Sequence, residues 1–164
     1  MGNSIKIIGV DPGVFKTGYG ILQVRENRLQ YITSGQIITS SKYSFPDRLK
    51  TIFNGLTEVI KKWKPNVMAV EQAIYAQNIQ TALKMGQARG IVLLAGKLHG
   101  LAIEEFSPAK IKVSVVGNGS ATKDQVNFMV KRILDLEKSK LDYDESDALA
   151  IAICYFNQNK WREG

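Results

Sequence analysis

Four carboxylates stand where carboxylates are costly to keep. Asp11 ends the apolar, β-branched run 5–10, and Pro12-Gly13 then turns the chain. Glu71 ends a second apolar run, 67–70, and a loop again follows. Asp144 and Asp147 are three apart, on one face of a helix whose next nine residues, 148–156, are all apolar. Removing a carboxylate from water is expensive unless a cation meets it. Each acid also has a plain structural reading. Asp11 can cap its own turn, and Asp142 with Glu145 makes a D-x-x-E helix start. The plain reading fits Asp142 and Glu145 well. It fits Asp147 less well, because Asp147 abuts the apolar run. If the two strand ends are neighbours, Asp11, Glu71, Asp144 and Asp147 converge and repel, and a divalent cation resolves the conflict. An all-oxygen set suits Mg²⁺ or Mn²⁺ rather than zinc. Two such ions about 4 Å apart clamp a phosphoryl group, activating water on one side and stabilising the leaving oxygen on the other. The chemistry indicated is phosphodiester hydrolysis.

Composition is compatible with that chemistry and excludes others. The chain has 164 residues and 45% hydrophobic content, within the range of one globular domain with a real core. Lys and Arg number 22 against 15 Asp and Glu, a net charge of +7 that suits a polyanionic partner. The one cysteine, Cys154, lies in the apolar run, so an internal disulfide and a cysteine-rich zinc site are excluded. The one histidine, His99, ends a predicted helix, and nothing around it suggests a nucleophile triad. No signal peptide opens the chain and no apolar run reaches 18 residues. The expected setting is soluble, reducing and cytoplasmic, away from membranes.

The acids need elements to carry them. Residues 5–11 and 19–24 read as a tight antiparallel pair, and 29–39 as a third antiparallel strand interrupted at Ser34-Gly35. Ser44, with Asp47 three on and Pro46 in the first turn, starts a helix that carries apolar residues at helical spacing to Trp63. Residues 67–71 form a strand. Residues 72–78 form a polar, aromatic loop, and a helix then runs over 79–98. Ala82, Gly86 and Gly90 give that helix one face of small residues. The face either packs on the sheet or meets a second helix in a dimer. Residues 101–106 form a fifth strand, and Ser107-Pro108 opens a short helix to about 116. Ser120 or Thr122 caps the next helix, and the last runs from about 142 to 156, before a polar tail at 157–164.

The stretches Gly9-Val10-Asp11-Pro12-Gly13 with Thr17-Gly18-Tyr19-Gly20, Val70-Glu71-Gln72, and Gly86-Gln87-Ala88-Arg89-Gly90 form an ordered set. Val115-Val116-Gly117 with Gly119-Ser120-Ala121, and Asp144 with residues 147–152, complete it. The set resembles the RuvC Holliday-junction resolvase family, in order and without large gaps from about residue 5 to 156. The resemblance implies an α/β, ribonuclease-H-like domain over residues 1–164, with a five-stranded mixed sheet flanked by helices. It implies Mg²⁺-dependent resolution of four-way DNA junctions by a homodimer, through paired symmetric nicks, in recombination and repair. Two ions per subunit and cooperation with the RuvA–RuvB branch-migration complex belong to the same implication. Position by position, Asp11, Glu71, Asp144 and Asp147 match the metal-binding acids. Lys112 and Lys123 match basic residues near the scissile phosphate, where a lysine stabilises developing charge. The alternative for each lysine is a solvated surface charge. Ile74 stands where relatives often carry an aromatic that stacks on junction bases, and the aromatic here is Tyr75. Gln77, Asn78, Lys84 and Arg89 complete the expected DNA contacts.

Two other functions compete. Asp11-Pro12-Gly13 with Thr17-Gly18-Tyr19-Gly20 resembles the phosphate loop of actin-like phosphotransferases, but no second glycine-rich loop for an adenosine is present. A junction-binding protein without catalysis would not need the full acid set.

Overall fold

The computed structural model describes residues 3–72 and 76–160. Strands β1 (Ile5–Asp11), β2 (Lys16–Arg25), β3 (Arg28–Ile38), β4 (Val67–Glu71) and β5 (Ala102–Phe106) form one sheet. Its order is β3-β2-β1-β4-β5. β1, β2 and β3 pair antiparallel, whereas β4 runs parallel to both β1 and β5. The mixed sheet follows from connection length. Glu26 and Asn27, both at positive φ, close a two-residue hairpin between β2 and β3. The parallel strands are joined by helices instead.

Helices α1 (Phe45–Trp63) and α2 (Ile79–Leu98) cover one face of the sheet. Helices α3 (Pro108–Val116), α4 (Lys123–Ile133) and α5 (Tyr143–Asn159) cover the other. Strand alternation sends Ile7 and Leu22 to the α5 side, and Ile8, Val10 and Ile21 to the α1–α2 side. α5 is buried around nearly its whole girth from Ala148 to Cys154, as nine successive apolar residues require. The start signals are real caps. The Ser44, Ser107 and Thr122 side chains accept from the amides of Asp47, Lys110 and Gln125. Thr122, not Ser120, is the cap of α4, because Gln125 completes a capping box with it.

Two expectations need correction, and one open choice is narrowed. β2 begins at Lys16 rather than Tyr19, since the pairing with β3 extends out to Lys16 and Ile38. β3 runs unbroken through Ser34-Gly35, because Gly35 makes room for the Tyr19 ring. A Cβ there would lie 2.5 Å from the Tyr19 Oη. The irregularity falls instead between Ile21 and Leu22, which pair with Thr33 and Tyr31 and leave Ile32 as a bulge. Of the two readings of the small-residue face of α2, packing on the sheet does not hold at Gly90, where a Cβ would meet nothing within 4 Å. Gly96 does that job, close against Met68 and Ile103.

Candidate active site

Asp11 and Glu71 are the last residues of β1 and β4. These strands are parallel neighbours with Val10 opposite Val70, so both acids leave the sheet at the same edge. Such an edge, beyond the carboxyl ends of parallel strands, is where α/β sheets place their sites. Asp144 and Asp147 arrive there from α5, which lies across β1 and β2. The approach is close enough to need glycine beneath it. A Cβ on Gly9 would lie 2.0 Å from the Ala148 carbonyl oxygen.

The result is a cleft of about 370 Å³ whose polar lining includes Asp11, Glu71, Asp147, Lys112 and Lys123, over apolar Ile111, Val126 and Ile151. Asp144 stands beside it, half-buried, with its Oδ2 accepting from Gln36 Nε2 at 3.3 Å. Burial first, then the charges of Asp147, Glu71 and Asp144, push the Asp11 carboxyl up to about 8, against a small opposing pull from Lys123. Glu71 is raised by burial and by Asp147, with Lys112 and Lys123 pulling the other way. Asp147 is also raised by burial, and Lys123 opposes this more than any other group. The four acids therefore share one electrostatic neighbourhood, and both lysines face it.

This donor set fits a hard divalent cation: oxygen-only, with mutual repulsion that a cation relieves. The carboxylates surround the cleft without closing into a cage. Among the described residues, no group of three or more His, Cys, Asp or Glu is gathered tightly enough to hold an ion as the side chains stand. Binding one requires those side chains to draw inward.

Several expected DNA contacts sit differently from one another. Arg89 is turned into the molecule. Its Nε donates to the Glu71 carbonyl at 3.2 Å and its Nη2 pairs with Glu105 at 2.5 Å. It fixes the strand end that carries Glu71. Asn78 caps α2, its Oδ1 accepting from the Thr81 amide at 2.9 Å. Gln77 and Lys84 are exposed, and Lys84 Nζ stands 5.7 Å from the Phe45 ring centroid. Ile74 and Tyr75 lie outside the described residues.

Sequence reasoning missed two residues. Thr17, fully buried, donates to the Gly13 carbonyl at 2.9 Å and accepts from the Gly13 amide at 3.3 Å. That clasp closes the loop after Asp11 and engages an amide that a phosphate cradle would need. A small polar residue immediately before a strand glycine was its one sequence cue. Gln36, on β3, touches Asp144 across 108 positions of chain, and no local pattern announces it.

The family model for crossover junction endodeoxyribonuclease RuvC matches residues 7–155. The crossover junction endodeoxyribonuclease RuvC of Citrifermentans bemidjiense is 47% identical over 149 residues, 91% of this chain and 90% of its own. That of Geotalea uraniireducens is 43% identical over 155 residues, 94% and 90%. The solved structure of Thermus thermophilus RuvC in complex with Holliday junction substrate superposes with a TM-score of 0.88 at 27% identity, covering 96% of each chain. The mixed sheet with helices on both faces is thus the ribonuclease-H-like arrangement of that neighbour.

Proposed function

The chain belongs to the crossover junction endodeoxyribonuclease RuvC family, and from that premise we propose that it resolves four-way DNA junctions by paired symmetric nicks, using a metal-bound carboxylate site. One observation carries the reading: three acids line one cleft, a fourth lies beside it, and burial together with the other three charges raises Asp11 to about 8 while two lysines face them. Asp11, Glu71, Asp144 and Asp147 would hold Mg²⁺, or Mn²⁺ in its place, two per subunit. Bound there, the ions supply activated water and neutralise charge on the phosphate. The rest falls to the chain itself. Asp11 is positioned by the end of β1 and by the Thr17 clasp. Glu71 is positioned by Arg89. Lys112 and Lys123 bring positive charge to the side where a phosphodiester enters, and stabilise charge that develops on its oxygens.

Paired cuts need two such sites, and α2 supports a homodimer. Ile79, Leu83, Leu94 and Leu98 are 79%, 63%, 48% and 64% exposed along one side of that helix, with open space at Gly90 between them. A stripe of that kind suits a second copy of the same helix. The chain forms one nuclease domain in this reading, working beside a RuvA–RuvB type motor in the cytoplasm. Among the described residues no helix is long and apolar enough to cross a membrane.

The test is a synthetic four-way junction incubated with the protein and Mg²⁺, with linear duplex as comparison. Symmetric nicks on two opposing strands of the junction, and none on the duplex, are expected. An intact junction under Mg²⁺ and Mn²⁺ alike would overturn the proposal.

A further inference from the structure

The loop that follows Asp11 carries a side chain that the nuclease reading leaves without a role. Phe15 is 57% exposed. One face of its ring is covered by the Arg48 guanidinium, 4.2 Å from the ring centroid. Arg48 itself is 7% exposed, and it is held in place. Its Nη2 donates to the Val14 carbonyl at 3.1 Å and its Nε to Thr39 Oγ1 at 3.3 Å. The Thr39 amide donates to the Phe15 carbonyl at 2.9 Å, and the Thr39 hydroxyl to the Val14 carbonyl. The loop is therefore fixed at both backbone and ring, and the outer face of an aromatic is offered to solvent. The face packed on Arg48 serves the fold; the exposed face is left open to a flat ligand.

The surroundings favour a polyanion with flat groups. Lys16 follows Phe15 in the chain, and Lys42 and the 65% exposed Tyr43 precede α1. Lys84 stands over Phe45, which also stacks within 5.8 Å of Arg48. Asp47, at the start of α1, is engaged within the helix cap, its carboxylate accepting from Ser44 Oγ at 2.8 Å. Phe15 is four residues from Asp11, a chain reach of at most about 14 Å. Nucleotides on one strand are spaced about 3.4 Å apart, so the ring lies within roughly four nucleotides of the phosphate that is cut. At a four-way junction the bases nearest the crossover can leave their stack, and a fixed ring in reach of them has a π-face to offer.

We infer that Phe15, backed by Arg48, is a stacking platform for an unpaired base of the bound junction, close to the cut strand. The inference rests on the junction-nuclease reading. A ring held before binding loses little freedom on binding, so the stacking free energy is kept.

The experiment measures binding by fluorescence anisotropy, in Ca²⁺ without Mg²⁺, to a junction and to a linear duplex. A 2-aminopurine is placed in turn at each of four nucleotides around the cut position. Phe15→Ala is expected to weaken junction binding by about five- to hundredfold. Duplex binding should change less than about twofold. Phe15→Trp should retain affinity, and Phe15→Leu, which keeps bulk but lacks a π-face, should behave as the alanine variant. One 2-aminopurine position should be quenched by the parent protein and not by Phe15→Ala. Unchanged junction affinity in Phe15→Ala, or equal losses on junction and duplex, overturns the stacking role while leaving the nuclease reading intact. A parent protein that does not prefer junction over duplex overturns the nuclease reading, and this inference with it. Thermal melting of each variant identifies any loss that comes from unfolding.

Discussion

Gly18 lies directly beneath Asp144: a Cβ at residue 18 would sit 2.1 Å from the Asp144 carbonyl oxygen. Gly18 also pairs with Asp11 across β1 and β2. One glycine thus sets how near the α5 acids come to the β1 acid. Its lack of a side chain is a requirement of the site as much as of the fold.

Gly18→Ala should therefore act on both. The methyl meets backbone, which cannot swing aside, so α5 must lift. Overpacking of this kind costs about 1–3 kcal/mol. Chemical denaturation should show that loss. Junction cutting at saturating Mg²⁺ should fall by on the order of a hundredfold, more than the stability change explains. Full activity in a well-folded variant would mean that the α5 acids do not need this placement.

Asp11→Asn should bind a junction and fail to cut it. It should also change stability with pH, in a direction fixed by the raised carboxyl. Folded Asp11 holds its proton up to about 8, whereas the unfolded chain releases it near the ordinary 3.8. Between those values folding takes up a proton, so stability falls as pH rises through that window and is flat above it. The raised carboxyls of Glu71 and Asp147 add to the same slope. In EDTA, the Asn variant should melt several degrees above the parent at pH 8.5, about 2–4 °C per kcal/mol for a chain of this size. The gap should close toward pH 4. Mg²⁺ competes with the proton, so its affinity should rise with pH up to about 8. Identical melting curves at pH 8.5 would sink the electrostatic account.

Lys123 offsets the charge on Asp11, Glu71 and Asp147 alike. Lys123→Ala should slow single-turnover cutting by roughly ten- to a hundredfold while junction affinity changes by only a few-fold. Equal losses in both would reduce it to a phosphate contact. Binding by the parent should weaken steeply with salt as counterions are released.

Leu83→Glu combined with Leu94→Glu places charge on the exposed side of α2. Sedimentation should show monomers where the parent forms dimers. Cutting should fall to unpaired nicks, with the fold retained by circular dichroism. A parent that sediments as a monomer at working concentration would remove the dimer from the proposal.

The local sequence determined most of the elements, because their causes are local. Ser44, Ser107 and Thr122 start helices through bonds to amides three residues on, and Glu26-Asn27 turn a hairpin in two residues. An apolar, β-branched run marked β1 as buried, helical spacing marked the buried face of α1, and the family resemblance assigned the metal-binding role to all four acids. Tertiary structure decided what those elements do to each other. Arg89 pairs with Glu105 sixteen residues away and holds the Glu71 carbonyl. Gly90 faces solvent where Gly96 meets the sheet, although both are glycines on the same helix. Asp144 and Asp147 reach the β1 edge because Gly9 and Gly18, more than 120 residues earlier, leave space for α5. Neighbours in sequence fix backbone conformation through a few bonds and excluded volumes. A carboxylate's charge and burial depend on which distant surfaces close over it, and only the packed chain determines those.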